Sequence, residues 1–477
     1  MSRYPELKVF ARQMEAAGQH RSVAEAFARL YERYRDGDPG KLPWSGVSPA
    51  GPQDLIPYET LDDRDRSRGE ELLDQLVVIS LNGGLGTTMK LARAKSLIEV
   101  REGMSFLELT ARQVLGLRAA TGHDVPWLLM DSYHTREDTL RALSAFPALR
   151  VDGLPLDFLQ NRFPRVVRSS GLPLDLDDPE ANWAPPGHGD VYLALWLNGL
   201  LERLLERGVR WAFVSNIDNL GGTVDPAILG LMEREGLQFV MEVTRRTESD
   251  VKGGPLIRFR DQGGRERLML MERTQVEDGH LPDFEDLSRF SVFNTNSLWW
   301  RLDAVLERLQ QGALDLPMIV NSKTVEGSGS LGLQEPVEVV QLETAMGAAV
   351  GSFERASGVK VPRSRFAPVK ATNDLLVVRS DACVLDAGFG IRPSPERESR
   401  VPPVVRLDDR FYRGVDDFDA RFPDAPSLVA CRSLTVEGDV RFGQGVRIEG
   451  DVTVRNAGSG QRTIPDGTLL RDEVREL

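Results

Sequence analysis

The run Leu76-Val77-Val78-Ile79-Ser80-Leu81 constrains this chain most. It is almost wholly apolar, β-branched at its centre, and ends in the glycine cluster Gly83, Gly84, Gly86. A strand with one wet face would alternate, so an unbroken run suits a strand covered on both faces of a parallel sheet. Similar runs occur at Trp127–Met130 and Trp211–Ser215. Helical patterns lie around them at 105–120, 135–145 and 190–207, and a further helix should precede Gln75. Asp190 is placed to cap one helix, with Gly208 just past its end, and Asp225-Pro226 opens another. The alternation predicts a doubly wound α/β core from about 70 to 380.

The flanks differ. Leu7, Phe10, Ala11 and Met14, then Val23, Phe27, Leu30 and Tyr31, give an amphipathic helical pattern over about 5–36. The Pro-, Gly- and Ser-rich stretch 38–54 reads as a loop or linker. In the tail, Val436, Phe442, Ile448 and Val454 recur every six residues, as do Val440, Val446 and Val452. Period six suggests stacked coils of a short β-helix; an antiparallel hairpin set is the alternative. At 477 residues, the length also suits about three domains.

Composition excludes more than it assigns. A net charge of −13 argues against nucleic acid and anionic membrane as partners, so any phosphate site must be built locally. Two cysteines without a Cys/His cluster make a disulfide scaffold or zinc site improbable. With no apolar leader or spanning run, the expectation is a cytoplasmic protein.

The strongest chemical signal is Leu81-Asn82-Gly83-Gly84-Leu85-Gly86-Thr87-Thr88-Met89. Its glycines let backbone N–H groups approach an anion, although a tight turn without ligand fits too. It is neither a Walker A loop nor GxGxxG. Lys95 could fold back onto phosphates. His188, between Gly187 and Gly189, could face a ligand or water. Asp218, in the loop after the Trp211 run, is a natural Mg²⁺ ligand or an Asx-turn residue. Lys252-Gly253-Gly254 reads as a hairpin turn or more. Asn294 and Asn296, two apart, share one side if extended and suit sugar hydroxyls. Arg363, Arg365 and Lys370 form either a solvated basic face or a triphosphate-neutralising cluster.

Together these motifs resemble one family, the eukaryotic-type UTP–glucose-1-phosphate uridylyltransferases (UDP-glucose pyrophosphorylases). The matching stretches include LNGGLGTTM, NRFPR, PPGHGDVY, SNIDNLGGTVD, FNTNSLWW and VPRSRFAPVKATNDLL. The resemblance implies a GT-A-like, Rossmann-type nucleotidyltransferase core with a mixed sheet. It implies a helical extension over 1–70, a catalytic domain over 71–380 and a short left-handed β-helix over 381–477. Leu81, Asn82, Gly83, Gly84, Lys95, Gln160, Gly187, Asp218 and Lys370 would bind the nucleotide, with Gln160 and Gly187 on the uracil. His188, Asn216, Ile217, Asp218, Asn294 and Asn296 would bind the sugar phosphate, and Asp218 would hold Mg²⁺. Lys95 and Lys370 would be catalytic.

The implied reaction is Mg²⁺-assisted in-line attack of glucose 1-phosphate on the α-phosphorus of UTP, giving UDP-glucose and pyrophosphate. Family members carry Gly-Cys-Lys-Gly-Pro where this chain has Lys90-Leu91-Ala92-Arg93-Ala94, a more helix-prone loop. Competing readings are transfer to galactose or N-acetylglucosamine 1-phosphate, disfavoured by Thr88 where an Arg would stand, and a non-catalytic nucleotide-sugar sensor. Exposed edges of the tail could pair with a second copy in a homo-oligomer.

Overall fold

A computed structural model describes residues 3–38, 40–86, 89–91, 93–314, 316–326, 336–399 and 401–477. Its centre is a sheet of eight strands: β1 Leu55–Pro57, β2 Leu76–Asn82, β3 Trp127–Asp131, β4 Asp157–Leu159, β5 Trp211–Asn216, β6 Phe239–Arg245, β7 Val292–Arg301 and β8 Ala356–Lys360. Their order is β1-β8-β6-β7-β5-β2-β3-β4. Neighbours pair in parallel except at β7, which is antiparallel to both β5 and β6. The sheet is therefore mixed.

The uninterrupted apolar run of β2 has the expected cause. Val77 and Ile79 enter one buried cluster with Leu128 and Val214. Leu76 and Val78 enter another with Trp127 and Phe213, on the opposite face. Every residue of β2 is buried, so no position is left for a polar side chain to reach water.

Helix ends follow local chemistry. Ser105 and Glu108 form a capping box before the helix Phe106–Thr121, which stops at Gly122 with φ +73°. Asp225 caps Pro226–Glu235 as expected. Two expected helices are each two. The first 5–36 region breaks between Leu7–Ala16 and Arg21–Arg35, where Gly18 takes φ +70°. The 190–207 region breaks at Gly199, φ +66°, between Val191–Leu197 and Leu200–Glu206. Asp190 does not cap its helix. Its carboxylate instead accepts from the backbone N–H and side-chain amide of Asn161, at 2.6 and 2.8 Å.

The strand pairs of the tail, from Val404–Leu407 to Val474–Glu476, are all parallel, which a hairpin set cannot produce. Both six-residue series point inward: Val436, Phe442, Ile448, Val454, Val440, Val446 and Val452 are all buried. They share one cluster with Met89, Ile98, Val100 and Phe106, which flank the glycine-rich loop, and with Leu375 and Leu376. Among the described residues no helix is long and apolar enough to cross a membrane.

One buried ion pair ties a distant segment to the sheet. Glu242 of β6, fully buried, accepts from Arg365 Nε and Nη2 at 2.8 and 2.6 Å and from the Trp299 indole at 2.9 Å. Removing one member of such a pair strands the other charge. Glu242→Gln should therefore lower unfolding free energy by about 3–5 kcal/mol, read as a fall in the urea midpoint.

Candidate active site

The glycine-rich loop leaves β2 and returns on itself. Leu85 and Ala94 pair as an antiparallel bridge, and Gly86 N–H donates to the Arg93 carbonyl at 3.3 Å. Lys95 N–H then donates to the Gly84 carbonyl at 3.2 Å, so the lysine is folded back over the loop. The substituted stretch starts with a turn at Lys90, φ +56°, whose ammonium pairs with Asp417 of the tail at 3.4 Å. Thr87, Thr88 and Ala92 lie outside the described residues. Asn82 points inward: its amide donates to Asp131 Oδ1 at 2.6 Å and Thr139 Oγ1 at 2.8 Å. Asp131 is fully buried, with Oδ2 lacking a hydrogen-bond partner among the described residues. Burial pushes its carboxyl up to about 7, and the Asn82 bond only partly offsets this.

The strands present their carboxyl ends at one cleft, where open α/β sheets hold ligands. Its volume is about 370 Å³, and its walls include Leu81, Asn82, Gly83, Gly84, Lys95, Gln160, Gly187, His188, Asn216, Ile217 and Asp218. Segments far apart in sequence thus meet as the motifs implied. A second, larger cleft of about 640 Å³, between Arg101, Arg379 and Phe422, contains none of these residues.

Each wall residue is held. The Gln160 amide packs on Gly83, where a Cβ would lie 3.0 Å from it. Gly187 has φ +80°, and a Cβ there would sit 2.3 Å from the Thr344 carbonyl oxygen, so only glycine fits. That placement sets His188, whose Nδ1 accepts from Met346 N–H at 3.0 Å. Burial pushes the imidazole down to about 4, so it is neutral at pH 7. With Nδ1 accepting, the proton is on Nε2, which is free to donate to a ligand.

Asp218 and Lys95 form an ion pair through Asp218 Oδ2. The other oxygen, Oδ1, is buried with no hydrogen-bond partner among the described residues. No group of three or more His, Cys, Asp or Glu among them could hold a metal. An orphaned carboxylate oxygen fits Mg²⁺ taking its remaining ligands from phosphate and water, as that ion prefers.

Lys370 does not line the cleft, but its segment is bound to the Asp218 loop. Val369 N–H donates to the Asp218 carbonyl at 3.2 Å, and Ala367 N–H to Asn219 Oδ1 at 2.9 Å. Neither alternative for the Arg363, Arg365 and Lys370 run, a solvated face or a triphosphate-neutralising trio, describes its two arginines. Arg365 is taken up by Glu242, and Arg363 by Asp250 at 2.9 Å, which leaves Lys370. Asn294 and Asn296 also lie off the cleft wall. Asn296 takes φ +59° at a bulge against β6, and the two amides bond each other at 2.7 Å, so the extended geometry expected of them is not adopted. Sequence reasoning missed Glu272, whose carboxyl burial pushes up while Lys370 pulls it back. It is a lone acid after an apolar strand, and only the fold brings it to Lys370.

A glycine loop, a folded-back lysine and a half-satisfied aspartate thus meet at the strand ends, where backbone N–H groups and an ammonium can face an anion. A family profile described as UTP–glucose-1-phosphate uridylyltransferase matches residues 24–449. The chain is 40% identical over 452 residues to a UTP–glucose-1-phosphate uridylyltransferase of Solanum tuberosum, covering 94% of this chain and 91% of that one. It is 41% identical to one of Hordeum vulgare, covering 94% and 92%. The UDP-glucose pyrophosphorylase of Leishmania major, solved in open and closed forms, superposes with TM-score 0.90 at 38% identity over all of both chains. This chain belongs to the UTP–glucose-1-phosphate uridylyltransferase family.

Asp131 supplies a pH test. Its folded value lies above the ordinary carboxyl value of 3.8, so the native state keeps a proton that the unfolded chain releases. That stability is full below about pH 4 and lost as pH rises through 7. Asp131→Asn, neutral throughout, should gain about 2–4 kcal/mol on the wild type between pH 4 and pH 8, measured by urea unfolding at both.

Proposed function

We propose that this chain transfers UMP from UTP to glucose 1-phosphate, giving UDP-glucose and pyrophosphate. The observation that carries the reading is the convergence of the glycine loop, Gln160, Gly187, His188, Lys95 and Asp218 on one cleft, in a chain of this family. A phosphate oxygen of the sugar phosphate forms the new bond to the α-phosphorus as the bond to the β-phosphate oxygen breaks. Pyrophosphate leaves with that electron pair. The attacking oxygen is already ionised near pH 7, so no general base is required. The demand on the protein is to align two anions and neutralise them.

Each residue follows from that demand. Leu81, Asn82, Gly83 and Gly84 offer backbone to the nucleotide, with Gln160 and Gly187 at its base. His188 donates through Nε2 to the sugar phosphate, beside Asn216 and Ile217, while Asn294 and Asn296 would reach sugar hydroxyls only on giving up their mutual bond. Lys95 exchanges Asp218 for phosphate, which frees Asp218 to hold Mg²⁺. When bound, that ion would draw charge from the phosphate oxygens. Lys370 supplies the remaining positive charge. Lys95, Asp218 and Lys370 are all present, which favours an enzyme over a sensor.

We read the core as GT-A-like over 71–380, after a helical extension over 1–70. We read the tail, 381–477, as a short left-handed β-helix, for which parallel pairs 18 residues apart (Leu434 with Val452) speak. Exposed Val404 and Val474, on the first and last of its parallel-paired strands, support pairing with a second copy. The reading includes a cytoplasmic location.

A pyrophosphate-release assay with UTP and Mg²⁺ against glucose, galactose and N-acetylglucosamine 1-phosphates should give its highest kcat/KM with glucose 1-phosphate. Release that is absent with all three would reject the activity. Lys370→Ala should lower kcat by about 10²–10³ while the KM for UTP changes little, because its charge acts on the transition state.

A further inference from the structure

The Lys370 side chain is exposed, and its charge acts on the Glu272 carboxyl, while its backbone is fixed separately. Two contacts fix it. The preceding residue, Val369, is tied to the Asp218 carbonyl at 3.2 Å. Asp374 Oδ2 accepts from Lys370 N–H at 2.8 Å and from Ala371 N–H at 3.0 Å. Asp374 belongs to the first turn of the helix Thr372–Arg379. That helix is immobilised from the far side: Thr372 Oγ1 donates to the Tyr412 carbonyl at 2.7 Å, and Leu407 N–H donates to Asn373 Oδ1 at 3.2 Å. Leu375, Leu376 and Val378 are buried in the cluster shared with the tail. The helix is a fixed post, and Asp374 is the link from it back to the lysine. Burial pushes the Asp374 carboxyl up, while its bonds from the Lys370 and Ala371 N–H groups and the charges of Lys370 and Lys95 pull it back.

We propose that Asp374 is the positioning residue for Lys370, holding the lysine backbone against the Asp218 loop so that its ammonium meets the transferred phosphate. Asp374 itself need touch no substrate. The inference rests on the role given to Lys370 above.

A plain helix cap and a positioning residue make different predictions. Loss of a cap lowers stability and leaves turnover alone. Loss of a positioning residue lowers kcat, by about 10–100-fold for a shift near 1 Å, with the KM for UTP held within about threefold. The experiment is a kinetic cycle on the full chain with Asp374→Ala, Asp374→Asn, Lys370→Ala and the Asp374→Ala/Lys370→Ala double variant. Asp374→Ala should show the kcat loss. Asp374→Asn, which keeps an acceptor oxygen in place, should recover most of it. In the Lys370→Ala background Asp374→Ala should cost nothing further, because the group it positions is gone.

Wild-type kcat in Asp374→Ala, no recovery in Asp374→Asn, or a full additional loss in the double variant would each overturn the proposal while Lys370→Ala stays impaired. Wild-type turnover in Lys370→Ala itself would overturn the reading of Lys370, and the proposal with it. If Asp374→Ala does not fold, Asp374→Glu takes its place: it keeps the charge and displaces the acceptor by one methylene. It should then lose kcat, and wild-type kcat in it overturns the proposal.

Discussion

The fully buried Glu242–Arg365 pair is what the rest of this site depends on. A carboxylate in the middle of a sheet strand is costly unless it is matched, and here it is matched by a guanidinium from more than a hundred residues away and by an indole. The match fixes residue 365, and from it runs a short strap, 365–369, hydrogen-bonded to Asn219 and to the Asp218 carbonyl. The strap brings the segment that ends at Lys370 against the loop that carries Asp218. A core interaction therefore sets where the Lys370 backbone lies relative to the Asp218 loop.

The same logic explains how an acidic chain keeps a site for anions. Most cations near the cleft are already neutralised: Arg363 by Asp250, Arg365 by Glu242, Lys95 by Asp218. Positive charge here is held in internal pairs. Lys95 and Asp218 are both mostly buried, so their attraction is less screened than that of a surface pair.

Much of this was legible in the sequence, where the chemistry is local. A strand buried on both faces followed by glycines was readable from Leu76 to Gly86, and the structure has that strand and a loop that turns back on itself. Gly187 and His188 were legible because a positive φ beside an imidazole needs only neighbours to be understood. Arg363 and Arg365 stayed open between a solvated face and a phosphate cluster because a run of cations does not name partners 113 and 123 residues away. Asn294 and Asn296 were read as an extended pair because period two is the default in a strand, whereas a bulge turned the two amides onto each other. The helix over 190–207 looked continuous because its leucines stay in phase across Gly199. Asp131, Glu272 and Asp374 carried no signal: each is a solitary acid whose meaning comes from what the fold places beside it.

The six-residue periodicity of the tail has a last consequence, for how the protein can be divided. Its inward valines and isoleucine do not close a core of their own; they complete one with Met89, Ile98, Val100 and Phe106, next to the nucleotide loop. A chain ended after residue 380 would strip those four of part of their cover and leave the Lys90 ammonium without Asp417. The tail thus behaves as the keystone of an arch, outside the opening yet bearing on both sides of it. Grafts, truncations and fusions would be better placed at the amino-terminal helix pair, whose apolar residues meet the main body through a separate cluster around Phe163 and Leu342.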